Sequence, residues 1–338
     1  MKSKFWTVSL VFLCAFVSCR RPSESLYTIG IFQINDAPTM TEVRKGFIKA
    51  LEDSGFRNSD NIKLIIKNAM GDIQAMQRIA QDLAAKKVDM LVPFSTPSLQ
   101  AALHASREIP IVFSSVANPF LAGAGNSAYD HLSFVTGVSS KGPIKQSLEF
   151  IRKVFPEKKR IGTLWTPSEI NSQYYLNLAE DAAKELGFDL ISVPVAKSSD
   201  ILLAAQDLIN KKIDVLYQIS DNTINASFEA LSRVAEENSI PLFGGFLLST
   251  REGASAALGW DFYDMGYKAG LMAVRVKEGE SPAAMPIQYM MDVHLHINLT
   301  AAKKQGLVFS DDIIKLANTV LSEESRKEQE EEREPVRK

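Results

Sequence analysis

A chain of 338 residues is long enough for about two domains with ordinary cores. Its 38 basic and 40 acidic side chains leave a formal charge of −2, too small to create the long-range field that draws a protein to nucleic acid or to an anionic membrane surface. The two cysteines, Cys14 and Cys19, both lie at the amino terminus, which excludes disulfides, thiolate catalysis and cysteine metal sites from the rest of the chain.

The chain opens with Lys2 and Lys4 ahead of an apolar run, Phe5–Val17, the layout of an export signal. A permanent helical membrane span needs roughly 20 apolar residues, more than this run supplies. Ser18 immediately before Cys19 resembles the processing site of bacterial lipoproteins, although Phe16 stands where that motif usually has Leu. The expectation is that residues 1–18 are removed and that Cys19 carries lipid, holding the protein to the cell membrane on its periplasmic or extracytoplasmic face. An ordinary secretory signal followed by a coincidental cysteine is the alternative.

From Tyr27 the pattern alternates short apolar runs with amphipathic segments, as in parallel sheets covered by helices. Tyr27–Ile34 reads as a strand. Thr39 with Glu42 predicts a capping box for a helix that turns Val43, Phe47, Ile48 and Leu51 inward and stops at Gly55. Ile62–Ile66 follows as a strand, Asp72 caps a helix carrying Ile73, Met76, Ile79, Ala80 and Leu83 on one face, and Val88–Val92 is a third strand.

The same order returns about 130 residues later. Ile29-Gly30 is matched by Ile161-Gly162, Lys86-Lys87-Val88-Asp89 by Lys211-Lys212-Ile213-Asp214, and Ile109-Pro110-Ile111 by Ile240-Pro241-Leu242. The fold class expected is α/β, with two doubly wound parallel-sheet lobes. Crossings between them are predicted near Ser139–Gly142, Trp260–Asp264 and Met290–Val293. Residues 27–140 plus 262–290 would then form lobe 1, and 141–261 plus 291–321 lobe 2. The stretch from Ser322 to Lys338 is almost entirely charged and reads as a disordered or solvated tail.

In open α/β sheets ligands sit beyond the carboxyl ends of the strands, so the loops there carry the candidates. In the first lobe these are Gln33, Ser95, Thr96, Ser115 and Asn118. In the second they are Ser168, Glu169, Asn171, Ser172, Asp221, Asn222, Thr223 and Phe246. Hydroxyls and helix-start amides suit a carboxylate, and a carboxylate suits an ammonium group, so a small zwitterion or polyol is the expected ligand. Asp221 is the first candidate for counter-charge and Glu169 the second. The same residue types also cap helices, and either acid fits a helix start equally well.

Catalytic constellations are scarce. His104, His131, His294 and His296 are the only imidazoles, and none follows a strand of the expected cleft. His294 and His296 alternate along one strand face, two ligands where a zinc site needs three or four. The sequence holds no Gly-x-Ser-x-Gly, phosphate loop or His-Glu-x-x-His, so the chain reads as a binding protein with no enzyme activity, cofactor or metal.

Ile29-Gly30-Ile31-Phe32-Gln33, Ser95-Thr96-Pro97, Val135-Thr136-Gly137-Val138-Ser139, Pro167-Ser168-Glu169-Ile170-Asn171-Ser172, Ser220-Asp221-Asn222-Thr223 and Gly259-Trp260-Asp261-Phe262-Tyr263 together resemble the ABC-transporter substrate-binding family that includes tryptophan- and tyrosine-binding lipoproteins. Asn118 and Phe246 depart from it, at positions where relatives carry acids. The resemblance implies a fold like that of type I periplasmic binding proteins with a three-crossing hinge. It implies a monomer that closes on a small ligand, such as an amino acid, and hands it to a membrane permease. A ligand-sensing protein that docks on a membrane receptor is the alternative.

Overall fold

Strand β1 (Tyr27–Gln33) lies inside the first sheet with its last five residues buried, because a parallel strand covered by helices on both faces has no solvent side. The computed structural model describes residues 26–323. The signal segment, Cys19 and residues 324–338 of the charged tail lie outside the described residues.

The first sheet grows from α1 (Pro38–Asp53), β2 (Ile62–Asn68), α2 (Ile73–Ala85), β3 (Met90–Phe94), α3 (Thr96–Ala105), β4 (Ile111–Val116) and β5 (Val135–Ser139). The chain then leaves for a second unit: α4 (Ile144–Val154), β6 (Arg160–Trp165), α5 (Ile170–Leu186), β7 (Asp189–Pro194), α6 (Ile201–Asn210), β8 (Val215–Gln218), α7 (Asn222–Asn225), α8 (Phe228–Glu237), β9 (Leu242–Gly244) and β10 (Ala256–Gly259). Helix α9 (Phe262–Lys277) and β11 (Gln288–Tyr289) return to the first sheet. Strands β12 (His294–Asn298) and β13 (Thr319–Leu321), with α10 (Leu299–Lys304) and α11 (Asp311–Ile314) between them, complete the second.

Strand order is β11-β5-β4-β3-β1-β2 in the first sheet and β13-β12-β10-β9-β8-β6-β7 in the second. Every pairing is parallel except that of β10 with β12. The order reverses between β1 and β3 in one lobe and between β6 and β8 in the other, and the crevice beyond the strand ends opens at such switch points. Two doubly wound lobes are thus the observed architecture.

The internal duplication extends to backbone geometry. Lys87 (φ 53°) and Lys212 (φ 57°) both adopt the left-handed conformation that ends a helix, a place glycine usually takes. Two residues on, the carboxylate of Asp89 accepts the amide of Thr28 at 2.7 Å, and that of Asp214 accepts the amides of Lys159 and Arg160 at 3.0 Å. Each aspartate therefore pins the start of its neighbouring central strand. The left-handed turn also explains why β3 and β8 begin at Met90 and Val215, two residues later than the apolar pattern suggests.

Helix α9 reaches lobe 1 through backbone contact with α1. A Cβ at Gly46 would stand 2.0 Å from the Tyr263 carbonyl oxygen, and one at Gly266 would stand 2.0 Å from that of Val43. Glycine lets the two helices touch main chain to main chain, and Val43, Phe47, Met265, Ala269 and Met272 seal the seam.

Candidate functional site

The two sets of strand ends face each other across a cleft of about 290 Å³, measured out to its open mouth. Lobe 1 contributes Thr39, Met40, Thr96, Ser115 and Ala117; lobe 2 contributes Asn171, Tyr175, Ser220, Asn222 and Asn225; Ser140 and Phe262 come from the crossings. Among the described residues no ionisable acid or base lines this cleft except the Tyr175 phenol, which donates to the Ser140 carbonyl oxygen at 2.6 Å.

Local strain positions the lobe 1 wall. Ser95, the residue before α3, has φ 98°, and Ser115 has φ 59° where the β4–β5 register slips between Ser114 and Val116. A bulge at a strand's carboxyl end re-aims one side chain, here the Ser115 hydroxyl, and positive φ at non-glycine residues gathers where function over-determines the backbone. Thr96 Oγ1 accepts the Ala117 amide at 3.3 Å, so its own proton is left to donate elsewhere.

Lobe 2 holds its wall through a buried carboxylate. Glu169, 4 % exposed at the start of α5, accepts from Asn171 Nδ2 (2.9 Å), Asn222 Nδ2 (2.5 Å), and the amide and hydroxyl of Thr223 (3.2 and 2.8 Å). Two helix starts are thereby tied to one side chain. Asp221 lies behind it, 1 % exposed: Oδ1 accepts Ile224 N (2.9 Å) and Thr166 Oγ1 (3.1 Å), and Oδ2 accepts Thr166 N (3.0 Å). Burial first, and then the nearby charge of Glu169, push the Asp221 carboxyl up to about 7.

Two polar atoms of the cleft lack partners. Thr39 Oγ1 in lobe 1 and Asn171 Oδ1 in lobe 2 are buried and unbonded, on residues 1 % and 6 % exposed. An unpaired buried polar atom costs about 1–3 kcal/mol, so this pair marks where a bound molecule would supply donors or acceptors. Across the mouth, Asn35 Nδ2 of lobe 1 donates to the Asn222 carbonyl of lobe 2 at 2.8 Å. The lobes are in contact across the cleft.

A family model described as ABC transporter substrate binding protein matches residues 28–321. The chain belongs to that family. Its relatives include a tyrosine-binding protein of Clostridioides difficile, 37 % identical over 276 residues that cover 82 % of this chain and 80 % of the relative. Among solved structures, a domain in complex with L-Trp from Streptococcus pneumonia is 25 % identical, with TM-score 0.84 over 88 % of this chain and all of the other. The ligand-free, open structure of a substrate-binding protein with adhesive properties from Clostridium difficile is 32 % identical with the same coverage, yet its TM-score is 0.65. Identity runs the other way, and the family member described here superposes more closely on the liganded relative than on the open one.

Of the residues expected from the sequence, Thr96, Ser115, Asn171 and Asn222 line the cleft. Glu169 and Thr223 stand one layer behind, and Asn118 Oδ1 accepts the amides of Phe120 and Leu121 in its own turn. The others are placed differently. Gln33 is spent on Asn35 O, Asp36 and Arg44; Ser95 caps α3; Ser172 accepts the Thr166 amide; Ser168 is exposed; and Phe246 packs edge-on against Phe228, ring centroids 5.4 Å apart, in the core. Asp221 is corrected from first counter-charge to helix cap, because both its oxygens are committed inside lobe 2 and it does not line the cleft. Thr39 is corrected too. Helix α1 starts at Pro38 after an Ala37 that makes no side-chain cap, so the predicted capping box is absent and the Thr39 hydroxyl is left for the cleft. Tyr175 escaped the sequence reading, although one helical turn beyond Asn171 it shares that residue's face. His294 and His296 lie on β12, and among the described residues no group of three or more His, Cys, Asp or Glu is placed to hold a metal.

Proposed function

We propose that this chain is an exported receptor that closes its lobes on an amino-acid zwitterion and passes it to a membrane permease, anchored through lipid on Cys19. The observation that carries the reading is the cleft itself: a small chamber between two lobes, lined by hydroxyls and carboxamides, with one unpartnered buried polar atom on each side. A polar chamber with no catalytic group favours holding a molecule over transforming it. The relatives that bind tyrosine and L-Trp support an aromatic side chain, for which Tyr175, Phe262 and Met40 offer the apolar surface. The three chain crossings, strapped by Trp260 Nε1 donating to the Lys141 carbonyl at 3.0 Å, are the proposed hinge, with lobe boundaries at residues 140/141, 261/262 and 290/291. Among the described residues no helix is long and apolar enough to cross a membrane.

The experiment is titration calorimetry of the protein, freed of retained ligand by unfolding and refolding, against the L-amino acids, with small-angle scattering on the same samples. Binding of L-tyrosine or L-tryptophan with a fall in radius of gyration is the expected result. Indifference to every amino acid would overturn the ligand assignment. Labelled fatty acid entering the wild type and not Cys19→Ala tests the anchor separately.

A further inference from the structure

Glu169 touches no ligand position, yet it decides what the lobe 2 wall can recognise. An ionised carboxylate only accepts hydrogen bonds, so an asparagine beside it must turn its NH2 inward. Asn171 and Asn222 both do so, donating to the same oxygen, Glu169 Oε2. Both side chains line the cleft, and each is left with its carbonyl oxygen as the free end. For Asn171 that oxygen is buried without a partner. The lobe 2 wall therefore presents these two amide oxygens as acceptors, with the Glu169 carboxylate one amide behind them. Lobe 1 answers with donors: the unpartnered Thr39 hydroxyl, and the Thr96 hydroxyl, whose oxygen is already occupied by the Ala117 amide. Thr96 also opens the ten-residue helix α3, whose positive end lies on the same side.

From this arrangement we infer that the cleft is polarised, and that Glu169 is a positioning residue that fixes the ligand's orientation by locking Asn171 and Asn222 with their oxygens toward an ammonium group, while Thr39 and Thr96 receive the carboxylate. The inference rests on the zwitterion reading above and adds the direction in which the molecule lies. It also removes the need for an acid in the cleft: the ammonium group meets two amide oxygens polarised by Glu169, a relay that avoids burying a bare ion pair.

The test compares L-tryptophan and L-tyrosine with their des-amino analogues, 3-(indol-3-yl)propanoate and 3-(4-hydroxyphenyl)propanoate, on the wild type and on Glu169→Gln. A glutamine has one oxygen where the glutamate has two; with that oxygen held by the Thr223 amide and hydroxyl, its NH2 faces the two carboxamides and an asparagine must turn its own NH2 into the cleft. Affinity for the amino acid then falls by roughly 10- to 150-fold, the size of one lost charge-assisted hydrogen bond, while the des-amino acid changes by less than about 3-fold. The wild-type preference for the amino acid should collapse accordingly. An unchanged preference ratio in a folded Glu169→Gln overturns the inference and leaves the binding function standing; a wild type that binds neither amino acid overturns both. Should Glu169→Gln not fold, Thr39→Val removes only an unpartnered hydroxyl. It should weaken the amino acid about 5- to 10-fold and leave its methyl ester, which lacks the carboxylate charge, nearly unaffected; equal losses for acid and ester overturn the orientation.

Discussion

The amino-terminal ends of the strands are built alike in the two lobes, and the carboxyl-terminal ends are not. At the amino-terminal end, Lys87 and Lys212 make the same left-handed exit, and Asp89 and Asp214 pin the same neighbouring strand. At the opposite end the equivalent corners are Ser95-Thr96 and Asp221-Asn222, one presenting hydroxyls at a ten-residue helix, the other a buried acid at the four-residue helix α7. Duplication supplies a scaffold twice, and the divergence between copies falls at the strand ends that face the cleft. Variants that treat the lobes as equal should fail at the carboxyl ends and succeed at the amino ends.

The largest expected effect comes from the seam at which lobe 1 packs a helix from the far half of the sequence, α9, against α1. Gly266→Ala puts a methyl group against the Val43 carbonyl, where neither helix backbone can yield cheaply. Overpacking of this kind costs about 3 kcal/mol, at the upper end of its usual range. Calorimetric melting should show the lobe 1 transition lowered by roughly 6–12 °C with the lobe 2 transition in place. A uniform shift of both would show that the lobes melt as one unit.

Next is the buried acid that only lobe 2 possesses. Asp221 ordinarily titrates at 3.8 and is pushed up to about 7 in the fold. The folded state therefore holds a proton that the unfolded state has released, so stability falls as pH rises from about 4 to about 7 and is level above. Glu252, also raised to about 7 by burial and by Glu229, adds a similar slope. Comparing urea midpoints of wild type and Asp221→Asn across that window isolates Asp221: the variant should show the shallower fall. Parallel slopes would mean that Asp221 is ionised at little cost in the fold.

A smaller effect is expected at the mouth. Asn35→Ala removes the only hydrogen bond that Asn35 makes to lobe 2, worth about 1 kcal/mol, so ligand affinity should drop roughly 5-fold, through faster release. Stopped-flow release rates check this, and a change confined to the association rate would deny Asn35 a role in holding the lobes together.

The fold was readable in the sequence because burial on both faces leaves apolar runs, because the duplicated Lys-Lys-x-Asp exits are distinctive, and because Asp72 does cap α2 as its spacing predicts. The cleft was readable only by address. Strand-end loops contain helix caps and cleft-lining residues of the same types, and of the neighbours Asp221 and Asn222 the first caps α7 and the second lines the cleft. What separates them is direction relative to the facing lobe, a tertiary property. Thr39 failed for the same reason: Ser/Thr three residues before Glu is a capping signal, and here the helix begins at Pro38, two residues before a Thr39 cap would start it, and frees the hydroxyl.

The smallest effect tests the likeness of the lobes most directly. Lys87 and Lys212 each hold a left-handed backbone, a conformation that costs a residue with a side chain about 1–2 kcal/mol. Glycine adopts it freely but loses more backbone entropy on folding, roughly 0.5–1 kcal/mol, so Lys→Gly should yield a net gain of about 0.5 kcal/mol at each site. Both lysines are exposed, so the substitution disturbs little beyond the backbone. Because φ differs by only a few degrees between the two, the gains should be equal within error and additive in the double variant, the sites lying in different lobes. Denaturant midpoints on Lys87→Gly, Lys212→Gly and the double variant measure this. If one glycine stabilises and the other does not, the amino-terminal ends are not equivalent in energy, and the likeness of the two lobes is one of shape alone.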